Sequence, residues 1–242
     1  MRRAPKARAC LTALGAGVAT LLVVAPLPAQ AATGPSGLWG FSVAAGTNRV
    51  SDLDGFQQNM ALAGNWSAGV GQVNFNGTPS YGAVSGATFS PGDLEFAFGA
   101  VLRTTKVPAG SNPNVIQAGM GNDPAQYKIA LKPGNGGTAV CVLKGTSANL
   151  LIKSPVTGLA NGAWHEVLCS RQGRTVSISV DGVTHTSNLS RGTIRLTTGR
   201  PLYVASKGPT TTWADQMIGS LTCAGVTSGP GALAALAAKM PC

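Results

Sequence analysis

The chain has 242 residues, 44% of them hydrophobic and 11% charged, which is enough apolar material for a large core and excludes a wholly disordered polymer. Its 33 glycines and 15 prolines make it rich in turn formers while leaving it short of low-complexity composition. The formal net charge of +10 overstates the part that folds, because Arg2, Arg3, Lys6 and Arg8 crowd into the first eight positions.

Those four residues form the basic start of a secretory signal peptide over residues 1–31. An apolar stretch follows from about Leu11 to Pro26, and Ala29-Gln30-Ala31 supplies the small-residue cleavage site, with the cut between Ala31 and Ala32. The span between Arg8 and Pro26 is short for a membrane helix, and Pro26 and Pro28 interrupt it. Cleavage leaves fourteen basic residues against eight acidic ones, a net charge of +6. These cations are scattered, with no run and no interleaved aromatics, so the sequence predicts no nucleic-acid partner. No later segment is apolar for long enough to cross a bilayer as a helix, so no membrane insertion of the mature chain is expected.

From Leu38 to Val226 the apolar residues recur with period two. Leu94, Phe96 and Phe98 alternate with Asp93, Glu95 and Ala97. Tyr127, Ile129 and Leu131 alternate with Lys128 and Ala130, and Val176, Ile178 and Val180 with Ser177 and Ser179. Each set reads as a strand with one buried face. Asn76-Gly77, Pro91-Gly92, the run Pro133 to Gly137, Asn161-Gly162 and Asp181-Gly182 punctuate them as turns. The last is a strong two-residue hairpin signal, since a type I′ turn needs positive φ at both central positions. The alanine-rich stretch Gly231 to Lys239 is the one helical segment expected. Many short strands with one terminal helix predict an all-β sandwich or barrel over residues 32–228 and a tail over 229–242.

Of five cysteines, Cys10 lies in the leader, leaving Cys141, Cys169, Cys223 and Cys242. Four allow three connectivities, of which sequence neighbours, Cys141–Cys169 and Cys223–Cys242, are the most economical. No metal-type spacing is present, and the chain has two histidines, so neither a metal nor another cofactor is expected.

The segment Gly162-Ala163-Trp164-His165-Glu166-Val167 followed by Val180-Asp181-Gly182 resembles the laminin G-like, concanavalin A-like lectin/glucanase superfamily. Leu38-Trp39-Gly40-Phe41, Trp66 and Val73 to Gly77 look like its opening strands, so that the likeness runs over roughly 38–226. The resemblance implies a jelly roll of two packed antiparallel sheets, with Cys141 and Cys169 on adjacent strands. Trp164 and Val167 cannot share a face of a regular strand, which predicts an irregularity or a place at the sheet edge for one of them. His165 is expected to be a packed structural side chain, as no nucleophile or orienting carboxylate accompanies it in the sequence.

The superfamily includes glycoside hydrolases, which need two carboxylates across the scissile bond. Asp93 and Glu95 are the pair that fits, at i and i+2, though no third acid follows; a solvated polar face is the plainer expectation. Gln126-Tyr127-Lys128 is no more than a fragment of a lyase site. Calcium is the usual ion of laminin G-like domains, but the places its carboxylates would take hold Gln126 and Leu143-Lys144, so no site of that type is expected. Asp52, Asp54, Asp123 and Asp215 read as turn or capping residues. Trp39, Phe41, Phe75 and Phe96 read as core, leaving Trp66, Tyr127 and Trp213 as candidate sugar-binding aromatics. The sequence therefore points to an extracellular recognition module for polysaccharide or glycoconjugate, with a hydrolase or a protein-interaction domain as alternatives.

Overall fold

A computed structural model describes residues 34, 36–84, 89–146, 148–189, 194–209, 215–240 and 242. The signal segment with its Ala31/Ala32 junction, and Trp213, lie outside the described residues. Fourteen strands follow one another: β1 (Gly37–Gly40), β2 (Arg49–Val50), β3 (Met60–Gly69), β4 (Gln72–Val84), β5 (Phe96–Arg103), β6 (Asn114–Ala118) and β7 (Gln126–Lys132). The rest are β8 (Thr138–Lys144), β9 (Asn149–Thr157), β10 (Trp164–Gln172), β11 (Thr175–Val180), β12 (Val183–Asn188), β13 (Leu202–Val204) and β14 (Ile218–Ser228). Among the described residues one helix, α1 (Ala232–Ala237), follows β14 near the C-terminus. It is shorter than the stretch 231–239 expected from composition. Gly231, at φ 73, is its left-handed cap, a backbone state glycine adopts without strain. Among the described residues no helix is long and apolar enough to cross a membrane.

The strands pair antiparallel in the order β12-β11-β10-β5-β14-β4-β13-β6-β7-β8-β9, with β1 on β14 and β3 on β4. This ribbon folds over so that its two ends face each other as layers, and the His185 ring of β12 bonds the Lys153 carbonyl of β9 at 2.9 Å. Cys141 of β8 is bonded to Cys169 of β10. The two strands are not neighbours but lie in opposite layers, a correction to the adjacency expected above: the bridge ties sheet to sheet. Between the layers sits one core, in which Trp39, Phe41, Phe75, Phe96 and Phe98 are buried as their alternation demands.

Local details depart from the period-two reading in two places. Asn76-Gly77 makes no hairpin but begins a bulge within β4: residues 76–79 stand between the pairs Trp66–Phe75 and Gly64–Ser80, with Gly77 at φ 80°. Asp93 and Glu95 do not lie on a strand, because a turn at Pro91–Leu94, closed by Leu94 N–H to the Pro91 carbonyl, delays β5 until Phe96. Leu94 consequently points outward, 39% exposed, out of phase with Phe96. The hairpin at Asp181-Gly182 has φ of 51° and 81°, as a type I′ turn requires.

The second bridge, Cys223–Cys242, holds α1 against the outside of the layer built around β12, β11, β10, β5, β14 and β1, the first sheet. There Leu38, Ala97, Leu168 and Cys223 pack with Ala232, Leu236 and Met240 in a small cluster of their own. Gly225 makes the approach possible, since a Cβ there would meet Leu236 Cδ1 at 2.7 Å. A six-residue helix is too short to persist alone, so the bridge and this packing keep it in place. It covers only one half of the sheet's outer face.

Candidate functional site

The uncovered half of that face carries a continuous row of side chains. Trp164 of β10 stands opposite Arg103 of β5, Arg103 opposite Ser220 of β14, Ser220 opposite Asn74 of β4, and Asn74 opposite Ser67 of β3. Directly opposed residues of an antiparallel sheet share a face, so five neighbouring strands align these groups over about 19 Å. β10 is regular throughout its pairing with β5. His165, Val167 and Cys169 therefore point inward, and Trp164, first residue of the strand, points outward with 36% of its surface exposed. Trp164 and Val167 thus take opposite faces of a regular strand with no bulge; Trp164 sits at the end of a strand flanked on both sides, not at the sheet edge.

The row is bonded along its length. The Arg103 guanidinium lies over the Trp164 ring at 4.8 Å, within cation–π range. Its Nη2 donates to Gln72 Oε1 at 3.3 Å, and Gln72 Nε2 donates to Asn74 Oδ1 at 2.9 Å. Ser220 Oγ donates to the same Asn74 oxygen at 2.7 Å, while Asn74 Nδ2 donates to Ser67 Oγ at 3.3 Å. Beside Arg103 and Ser220 the surface hollows into a pocket of about 310 Å³, lined also by Thr104, Thr105, Gly162 and Gly219. Gly219 has φ 148°, and a Cβ on it would meet the Arg103 carbonyl oxygen at 2.3 Å, so the floor of the pocket needs glycine. Thr104 Oγ1 donates to the Ile218 carbonyl at 2.6 Å and bridges to Lys106, bracing the wall. A further hollow of about 350 Å³ is lined by Gly77, Lys106, Pro108, Ala109, Gly110, Ser111, Gln216 and Ile218.

Behind Trp164, the His165 ring contacts Asp181 Oδ2 at 2.7 Å through Nδ1 and Asn161 Oδ1 at 3.1 Å through Nε2. Asn161 Oδ1 also accepts the Ala163 N–H, and Asp181 Oδ1 the Glu166 N–H. His165 is thus a buried brace that ties the loop before β10 to the β11–β12 hairpin and fixes the strand end that presents Trp164. Burial pushes the nearby Glu166 carboxyl up from the usual glutamate range, and the Asp181 charge adds to this.

The other aromatics singled out from sequence are placed differently. Tyr127, expected at the surface, is wholly buried, with its hydroxyl donating to the Phe89 carbonyl at 3.0 Å and its ring packed on Phe96 and Phe98. It belongs to the inward phase of β7, while its neighbours Gln126 and Lys128 belong to the outward one. Burial raises its phenol well above the normal range. Trp66 is half-buried, opposite Phe75 and packed against the core. Asp93 and Glu95 line neither hollow. Glu95 Oε2 accepts the Gly231 N–H, and Asp93 lies near Arg171, whose buried guanidinium donates to the carbonyls of Gly92, Leu94 and Ile194.

The remaining acids cap and tie loops. Asp52 accepts from the backbone of Leu38, Asp54 and Gln58, and Asp54 from Ser36 and Lys239. Asp215 accepts from Asn112 N–H and Lys207. Asp123 takes two bonds from Arg200 and one from Met120 N–H, which hold its carboxyl below the usual range. At Gln126 and Lys144, the places the sequence resemblance gave to calcium-binding carboxylates, Gln126 Nε2 donates to the Gly119 carbonyl and the Lys144 ammonium to that of Gly121. Two donors, one of them a cation, occupy the oxygens that a metal would need, so these residues do not fit calcium.

Residues 113–222 match the Laminin G domain family. The fold is laminin G-like, of the concanavalin A-like kind. Among solved structures, it is similar to domains LG4-5 of the mouse laminin alpha1 chain at 14% identity, over 69% of this chain and 43% of that one, with a TM-score of 0.48. Trypanosoma rangeli sialidase in complex with sialic acid aligns at 16% identity, over 79% of this chain and 30% of that one, with a TM-score of 0.54. The binding domain of Botulinum neurotoxin serotype D aligns at 10% identity, over 79% and 47%, also at 0.54. The chain therefore spans less than half the length of each of these proteins. No curated protein matches it in sequence.

The row is only partly legible in the sequence. Trp164 stood out by its phase against Val167, but its partners come from four other strands, and only the pairing register brings them together.

Proposed function

We propose that this protein is a secreted, non-catalytic recognition module that binds extracellular polysaccharide across the Trp164–Arg103–Ser220–Asn74–Ser67 row. The signal segment 1–31, cut between Ala31 and Ala32, carries the folded domain out of the cell, where two disulfides suit an oxidising medium. The observation that carries the reading is the row itself: an exposed indole followed by amides and hydroxyls whose directions are already fixed by one another. Such a surface offers a sugar ring an apolar platform and offers its hydroxyls donors and acceptors, with little ordering left to do on binding.

Affinity electrophoresis of the mature protein through gels containing plant, fungal and bacterial polysaccharides tests this. At least one polymer should retard the protein, and Trp164→Ala should weaken that retardation about tenfold. No retardation by any polymer, together with specific capture of a protein partner, would establish the protein-interaction alternative. Release of reducing sugar that Glu95→Gln abolishes would establish the hydrolase.

A further inference from the structure

We infer that Arg103 makes this row selective for a carboxylate-bearing polysaccharide, a uronate polymer, over a neutral one. The inference rests on the row being a glycan site and names the chemistry that the site takes. The guanidinium carbon lies over the Trp164 ring, 4.8 Å from its centroid, and one Nη2 hydrogen is spent on Gln72 Oε1. Gln72 cannot swing away freely, because its own amide is bonded to Asn74, which Ser220 and Ser67 hold in turn. The plane and direction of the Arg103 fork are thereby fixed.

Among the described residues, Nε and Nη1 of Arg103 have no partner. A fixed planar fork with free donors matches the two oxygens of a carboxylate, which an arginine grips bidentately and a lysine does not. The pocket beside it admits a pendant group, and its floor is clear because Gly219 and Gly162 carry no side chain there. Lys106 lines the further hollow, and no carboxylate lines either one. Glu166, on the same face of β10, lies one row away opposite Val101, next to Asp181 rather than to the fork. A neutral sugar would leave the charged fork without a partner of its own kind. A uronate would complete the fork, with its ring lying beside the exposed edge of the indole.

The test compares polygalacturonate with the same polymer methyl-esterified, by calorimetric titration of the mature protein. The acid polymer should bind about tenfold tighter than its ester. Arg103→Lys keeps the charge but loses the fork, and should shrink that preference to within about threefold. Arg103→Gln should remove the preference. Arg49→Gln, which deletes one positive charge at an exposed position on β2, should leave the preference intact. Equal binding of acid and ester, both weakened by Trp164→Ala, overturns the carboxylate inference and leaves the glycan reading standing. Full preference retained in Arg103→Lys overturns it in favour of bulk charge. Binding of neither polymer overturns it outright, and the polysaccharide panel then decides the broader reading separately.

Discussion

The two outer faces of the sandwich present polar groups in opposite ways. On the first sheet, the row from Trp164 to Ser67 is bonded side chain to side chain, so each donor has a direction. On the layer of β13, β6, β7, β8 and β9, Lys128 of β7 shares the outward phase with Lys132 and Lys144, while Gln117 of β6 opposite it is buried and donates to the Gly119 carbonyl. Tyr203 meets Tyr81 edge to face at 6.0 Å, and burial of Tyr203 raises its phenol. Burial also lowers the Lys128 ammonium, against the pull of Asp215, and Lys207 and Lys132 press it the same way as burial. The carboxylates nearest these cations, Asp123 and Asp215, are already paired with Arg200 and Lys207. One face fixes geometry; the other supplies a diffuse positive field. Fixed groups set specificity, whereas a field of this kind mainly speeds the approach of anionic partners and is screened by salt.

Substitutions on the framework that both faces share should have the largest effects. Arg171→Met leaves the buried carbonyls of Gly92, Leu94 and Ile194 without their donor and should cost about 3 kcal/mol in urea unfolding. A cost under about 1 kcal/mol would mean that solvent reaches those carbonyls. Replacing Cys223 and Cys242 together by serine opens a loop of sequence separation 19 and should cost close to that, about 3 kcal/mol. It also frees α1 from the first sheet. An apolar dye should then report the exposed Leu38, Ala97 and Leu168, and no such signal should arise from the wild type, whose Cys223–Cys242 bridge holds α1 in place. Tyr127→Phe removes one buried hydroxyl bond and should cost about 1 kcal/mol without altering any glycan affinity, since the ring stays in the core. A change in affinity there would break the division between framework and face.

Much of the framework was legible in the sequence. Period-two alternation in Tyr127, Ile129 and Leu131 and in Val176, Ile178 and Val180 places those residues in the core, and Asp181-Gly182 makes the hairpin it announces. What failed was local phase. Pro91-Gly92 resets the alternation ahead of Phe96, so Leu94 and the pair Asp93 and Glu95 lose the strand assigned to them. The ring of Tyr127 suits a sugar platform, but the same alternation that buries Ile129 buries it too. The face resisted for another reason. Ser67, Asn74, Arg103, Trp164 and Ser220 are unremarkable polar and aromatic positions scattered over more than 150 residues, and only long-range register assembles them.

The smallest effect expected separates the row from its surroundings by pH. Burial, with Asp181 adding to it, raises the folded-state value of Glu166 above that of the unfolded chain. Between the two values the folded protein binds more protons than the unfolded one. The sign follows: stability falls as pH rises through that window, and the loss is complete above the folded-state value. Glu166→Gln cannot ionise, so it should match the wild type in acid and exceed it at neutral pH. Solvent screening at this half-exposed position keeps the difference below about 0.5 kcal/mol. Urea midpoints for the two proteins, compared between about pH 4 and pH 7, check this. A difference independent of pH would mean that the glutamine merely repacks the strand end behind Trp164. A wild type more stable than the variant at neutral pH would mean that the ionised carboxylate is bonded on the face, and the row would then extend to Glu166.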